Sequence, residues 1–142
     1  PKPLAVAGTT VAVSVCYENA FGEELARQVP EAKLLVNLSN VAWFGDSLAP
    51  AQHLQLSQLR AIEAGRAHLV ATNTGITAAI DRDGRVLAQL PQFAAGRLEA
   101  SAPLYSGGTP YVALGDAGAL ALAALLLAAA LAPAWVRRGA AR

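Results

Sequence analysis

Val11-Ala12-Val13-Ser14-Val15-Cys16-Tyr17-Glu18 sets an apolar run directly against the chain's only cysteine, with a carboxylate two residues further on. The run reads as a buried strand ending at the thiol. Strand ends are where α/β enzymes present reactive groups, and a thiolate is the strongest nucleophile a protein carries. The plain alternative is that Cys16 is a small buried apolar residue, the commonest fate of a free cysteine.

Working outward, strand-like and helix-like patterns alternate. Phe21 to Gln28 reads as a short helix stopped by Pro30, and Lys33 to Asn37 as a second buried strand. Asp46 or Ser47 is placed to cap a helix from about Pro50 to Gly65, with Leu56, Leu59 and Ile62 on one apolar face. His68 to Thr72 is a third strand. Ile76 to Ile80 and Arg85 to Leu90 form a hairpin around Asp81-Arg82-Asp83-Gly84, and Leu98 to Ala102 reads as a further strand. This order predicts a layered α/β domain over residues 1–115.

Three polar clusters follow predicted strands: Cys16-Tyr17-Glu18, Asn37 to Asp46, and Ala71-Thr72-Asn73-Thr74-Gly75. Segments at the carboxyl ends of neighbouring strands converge, so the three are expected to line one pocket. Cysteine acyl transfer needs a nucleophile, a base and donors for an oxyanion. Cys16 supplies the first, and the Tyr17 backbone N–H is a candidate donor. Glu18 either positions a group in the site or is an exposed or salt-bridged carboxylate. Asn37 and Asn40 suit turn capping or holding the loop. Trp43 and Phe44 are either core packing or an apolar wall for a substrate chain, with packing favoured on the residues alone. Arg60, Glu63 and Arg66 recur every three residues, which predicts an intrahelical ion pair.

Composition narrows the classes. The chain has 142 residues and a net charge of +1, with no basic stripe for nucleic acid. One cysteine forms no internal disulfide, and His53 and His68 stand alone, so no metal and no cofactor are expected. The chain starts Pro1-Lys2-Pro3, lacks methionine and shows no signal peptide, which leads to the expectation of a piece of a longer protein. Ala117 to Val136 carries no charge and is long enough to cross a hydrocarbon core of roughly 30 Å. Trp135 at its end, and then Arg137, Arg138 and Arg142, predict a transmembrane helix over 116–136 and a basic cytoplasmic tail over 137–142. Pro133 lies near the end of the span. The positive-inside rule then puts residues 1–115 on the opposite side of the membrane.

CYE at 16–18, NLSN-x-AWFGD at 37–46, RAIEAGR at 60–66 and ATNTG-x-TAAID at 71–81 resemble the nitrilase, or carbon–nitrogen hydrolase, superfamily. Gln52-His53, Leu90-Pro91-Gln92-Phe93 and Thr109-Pro110-Tyr111 before an apolar helix narrow the resemblance to the carboxyl-terminal part of the bacterial apolipoprotein N-acyltransferases. It spans essentially the whole chain. The resemblance implies part of an αββα sandwich, in the periplasm, on a multi-helix domain in the inner membrane. It implies a ping-pong reaction in which Cys16 takes an acyl chain from a phospholipid as a thioester. The chain then passes to the α-amino group of the diacylglyceryl-cysteine of an apolipoprotein.

By motif Cys16 is the nucleophile, Tyr17 and Glu18 match neighbours needed for activity, and Trp43 matches a residue of a mobile lid loop. Trp43, Phe44 and Asn40 are the expected substrate-binding residues. The family's general-base glutamate and oxyanion lysine belong to sequence upstream of Cys16, and Lys2 is not assigned to that lysine. Val41 stands where the family carries an aspartate. The alternatives are an anchored nitrilase-type amidase and an inactive remnant that only binds partners. Without the upstream base, the 142-residue chain alone is expected to show no turnover.

Overall fold

The computed structural model describes residues 2–139, with side chains through Leu131. The expectations for Pro133, Trp135, Arg137, Arg138 and Arg142 concern groups outside that description. Six strands form one sheet in sequence order: β1 (Leu4–Val6), β2 (Thr9–Val15), β3 (Leu34–Ser39), β4 (His68–Thr72), β5 (Thr77–Ile80) and β6 (Val86–Leu90). Strands β2, β3 and β4 are parallel, and the outer pairings are antiparallel. Parallel neighbours require crossovers. Helix α1 (Gly22–Ala26) lies in the first and α2 (Ala49–Ala64) in the second. The three parallel strands therefore end at one edge, just before Cys16, Asn40 and Asn73.

The predicted strands at the chain's start, middle and hairpin are all present, and β1 is an added antiparallel edge strand. Three expectations are corrected. Leu98 to Ala102 is irregular chain. It crosses the second face of the sheet, where Ala102 and Tyr105 cover Val11, Leu34 and Ala67, and Tyr105 N–H reaches Lys33 O at 3.3 Å. Helix α2 does not bury Leu56, Leu59 and Ile62 as a stripe: Leu59 and Ile62 are exposed, and Ser57, Arg60, Ala61 and Ala64 face inward. Small and polar side chains let this helix sit close to the sheet and bond to it. Its N-cap is Leu48, without a side-chain cap, although Ser47 Oγ accepts from Ala49 N–H at 3.3 Å.

Two apolar clusters lie between the sheet and its helices. Ala12, Leu25, Val29, Ala32, Leu35 and Ala64 form one, and Ala61, Val70, Ala78 and Ile80 the other. On the second face, Val15 and Leu38 near the carboxyl edge remain exposed. The chain thus supplies one sheet-and-helix half of an αββα arrangement.

Beyond the sheet, α3 (Pro110–Gly139) is broken at Gly115, whose φ of 56° and ψ of −153° only glycine adopts readily. The segment Pro110–Leu131 is long and apolar enough to cross a membrane, with a mean hydropathy of 2.1 and its apolar stretch unburied. The charge-free run begins at the break, because Asp116 opens the second segment.

Candidate active site at the end of the second strand

Strand β2 ends in a reversal. Cys16 has a φ of 53°, a left-handed conformation that costs a non-glycine residue about 1–3 kcal/mol, and it opens a 3-10 turn over Cys16–Ala20. Three side chains hold that turn. Glu18 Oε2 accepts Val15 N–H at 2.7 Å, Asn37 Nδ2 donates to Cys16 O at 3.3 Å, and Asn19 Nδ2 donates to Ser57 Oγ at 2.7 Å. The half-buried Cys16 Sγ lies 3.8 Å from Asn40 O. Among the described residues no acidic or basic side chain is hydrogen-bonded to the thiol.

The structure decides between the two readings of Glu18. Its carboxylate braces the reversal from Val15 and does not touch the sulfur. Tyr17 is exposed and packs edge-on against Phe21, with ring centroids 5.6 Å apart.

The three polar clusters do converge. Asn40 Oδ1 accepts from Ala42 N–H at 3.1 Å and from Asn73 Nδ2 at 2.7 Å, while Asn73 Oδ1 accepts Val41 N–H at 3.2 Å. This pair clamps the loops after β3 and β4 beside Cys16. Asn40 is a loop clamp here, as its residue type suggested. Trp43 and Phe44 occupy a short turn on the clamped loop and are 83% and 54% exposed, so the packing reading fails for both. Gln92 Nε2 donates to Gly45 O at 3.2 Å and ties the loop to the segment after β6. Val41 is buried at 3% exposure, and a Cβ on Gly75 would stand 2.4 Å from its Cγ2, so its side chain fills the floor under the loop.

Beneath the reversal lies a polar cluster whose members the sequence pattern brings together only in part. Asn37, fully buried on β3, donates through Nδ2 to Ser14 Oγ at 2.8 Å, to Ser14 O at 3.2 Å and to Cys16 O. Its Oδ1 accepts from Ser39 Oγ and lies 2.9 Å from His53 Nε2. Burial pushes the His53 imidazole below its ordinary value. The only sequence signal for Ser14 is a hydroxyl inside an otherwise apolar strand.

Residues 1–107 match the model of the carbon-nitrogen hydrolase family. The chain belongs to that family. Among curated relatives of this carbon–nitrogen hydrolase, the apolipoprotein N-acyltransferase of Nitrosomonas europaea is 56% identical over 128 residues, which is 90% of this chain and 26% of the relative. That of Ralstonia nicotianae is 49% identical over 92% of this chain and 26% of its own length. The chain thus spans about a quarter of the length of these relatives. Solved carbon–nitrogen hydrolases share the fold. An amidase from Nesterenkonia sp. is 23% identical with a TM-score of 0.54, covering 66% of this chain and 38% of its own. A carbon–nitrogen hydrolase from Helicobacter pylori G27 is 14% identical with a TM-score of 0.56, covering 64% and 39%.

Proposed function

We propose that this chain carries the nucleophile of an apolipoprotein N-acyltransferase, and that Cys16 is that nucleophile. The observation that carries the reading is Cys16 held at a positive φ where three parallel strands end, beside an exposed aromatic loop. Relatives named apolipoprotein N-acyltransferase, similar over most of this chain, give the reaction.

In the first half-reaction the Cys16 thiolate, its proton taken by a base from outside this chain, adds to the ester carbonyl of a phospholipid. The tetrahedral oxyanion collapses to a thioester and expels the lysophospholipid alkoxide, which takes up a proton. In the second, the α-amino group of a diacylglyceryl-cysteine adds to the thioester carbonyl. An amide forms, the amine loses a proton, and Cys16 leaves as thiolate. Cys16 is the catalytic residue, and Glu18 braces it. Tyr17 and Phe44 flank the approach of an acyl chain. Trp43, on the clamped loop, covers it and keeps water from the thioester. Asn40 holds that loop in place.

Both substrates are lipids, so a thiol tethered at a bilayer surface meets them without extracting them into water. Residues 116–136 serve as the membrane span and 1–115 as part of the catalytic domain, on the extracytoplasmic side of a bacterial inner membrane. The basic tail over 137–142 sets that orientation.

A second reading, hydrolysis of a soluble amide, draws on the family and on an amidase neighbour. In the Nesterenkonia amidase, the acetamide moiety of fluoroacetamide adds covalently to the active-site cysteine. The acceptor separates the two readings. Intact-mass spectrometry of the full gene product after incubation with phospholipid is expected to show a gain of one acyl chain. That adduct is labile to hydroxylamine and absent in Cys16→Ser. A folded protein that acquires no acyl adduct overturns the transferase reading in favour of the amidase.

A further inference from the structure

Acyl transfer as proposed above uses the thiol, the bracing carboxylate and the loop, and leaves unused the buried cluster beneath them. Resting on that reading, we infer that Asn37, held in one orientation by His53, is a positioning residue that sets the Cys16–Tyr17 peptide. It thereby sets the aim of both the thiol and the Tyr17 N–H.

The orientation of the Asn37 amide follows from its partners. Ser14 O and Cys16 O are carbonyl oxygens and can only accept, so the group 3.2 Å and 3.3 Å from them is the NH2. Its Oδ1 therefore faces His53, and the nitrogen 2.9 Å away must bear a hydrogen. His53 is thus the Nε2–H tautomer and donates to Asn37. Ser39 Oγ donates to the same oxygen, so both lone-pair directions are used. All the capacity of a fully buried amide is spent on fixing its plane.

The consequence at Cys16 comes from peptide geometry. In a trans peptide the C=O and the next N–H point in opposite directions. Asn37 draws Cys16 O inward to the sheet, so Tyr17 N–H points outward, to the side where an acyl carbonyl must approach. A residue at the start of a helical turn has no acceptor for that N–H within the turn. The strained φ of Cys16 is what lifts the thiol to the edge of the sheet, as in other strand-to-helix nucleophile turns. Without the Asn37 tether the reversal can relax and withdraw it.

His53 reaches Asn37 from α2, and that helix is itself located by buried contacts. Ser57 Oγ donates to His53 O at 3.0 Å and accepts from Asn19 of the Cys16 turn. His68 Nδ1 lies 3.0 Å from Ser57 O. The relay therefore joins the nucleophile turn, β3 and α2 in one chain of bonds.

The test uses the full gene product in its membrane with Asn37→Asp, His53→Leu and His53→Gln. Three quantities are measured: kcat and KM for acyl transfer to a lipopeptide, the rate of Cys16 alkylation by iodoacetamide followed on its peptide, and the melting temperature. Asn37→Asp removes the donor that faces Cys16 O and is expected to lower kcat and the alkylation rate by about 100-fold, with KM changed less than about threefold. His53→Leu is expected to lower both rates by about tenfold. His53→Gln, whose amide nitrogen can replace Nε2–H, restores them to within about threefold. Wild-type rates in a folded Asn37→Asp overturn the inference. Should Asn37→Asp not fold, the His53 pair decides, and equal rates for Leu and Gln overturn it. If iodoacetamide rates follow the expected order while wild type forms no acyl thioester, the relay stands and the transferase reading falls. A wild-type thioester with unaltered variants gives the reverse.

Discussion

The carboxyl edge of the sheet and the junction of α1, α2 and α3 are both rich in polar groups, yet they are built on opposite terms. At the edge, Asn37, Ser14, Ser39 and His53 bond one another, and Asn40 pairs with Asn73. At the junction, Arg60 is buried against Glu63 at 3.0 Å, but Arg60 Nε and Glu63 Oε2 are buried without partners. An open cleft of about 330 Å³ lies there, lined by Glu23, Arg27, Arg60, Glu63, Tyr111 and Asp116. Burial pushes the Glu63 carboxyl above its ordinary value, an effect that Arg60 opposes and Asp116 reinforces. Satisfied hydrogen bonds lock a geometry, whereas a half-satisfied ionic cluster leaves its members free to rearrange. The larger cleft is therefore the charged joint from which the apolar helix departs, and the thiol sits at the saturated edge. Cleft size does not locate the chemistry in this chain.

That contrast can be broken most sharply at the thiol. Cys16→Ser in the full gene product is expected to reduce acyl transfer by on the order of 10⁴-fold or more, measured as product formed per enzyme, with the melting temperature unchanged. A surviving activity would move the chemistry away from the edge.

The next effect belongs to the junction. Arg60→Ala strands the Glu63 carboxylate and is expected to cost about 4 kcal/mol in denaturant unfolding of the protein in detergent. Arg60→Leu combined with Glu63→Leu is expected to recover most of that loss. A single variant as stable as wild type would show that the pair is already solvated.

A pH effect arises at His68, which is fully buried between the two regions. Burial lowers its pKa to about 4, despite the bond to Ser57 O, and its Nε2 has no partner. The unfolded chain takes the proton first. Stability present above about pH 6.5 is lost as pH falls toward 4, by on the order of 3 kcal/mol. Unfolding midpoints at pH 7, 5.5 and 4.5, compared with those of His68→Gln, check this. An equal loss in the variant would assign the slope to other groups.

The smallest effect is steric. Gly75→Ala places a Cβ 2.4 Å from Val41 Cγ2 and is expected to destabilise by about 2 kcal/mol and loosen the Trp43 loop. Faster proteolysis within residues 41–48 would report it.

Much of this architecture is legible in the chain. Val11 to Val15, Lys33 to Asn37 and His68 to Thr72 announce their strands by contiguous apolar residues. The Asp81 to Gly84 turn announces the hairpin. The polar groups after those strands mark the site, because parallel strands must end together. Leu98 to Ala102 misleads because a short apolar stretch looks the same whether it pairs along an edge or lies across a face. The buried side of α2 misleads because helix periodicity favours the leucines, while the sheet offers polar partners to Ser57 and room for Ala61 and Ala64.

The sequence by itself determined the elements, the nucleophile candidate and the apolar helix, since each is written in neighbouring residues. Only the tertiary structure decided what aims the nucleophile. Asn37 reaches Cys16 O because β3 pairs in parallel with β2, with Ser14 opposite Asn37. His53 reaches Asn37 because α2 folds back over the strand ends. A hydrogen bond between residues 21 apart depends on register and helix placement, and these are properties of the whole packed sheet.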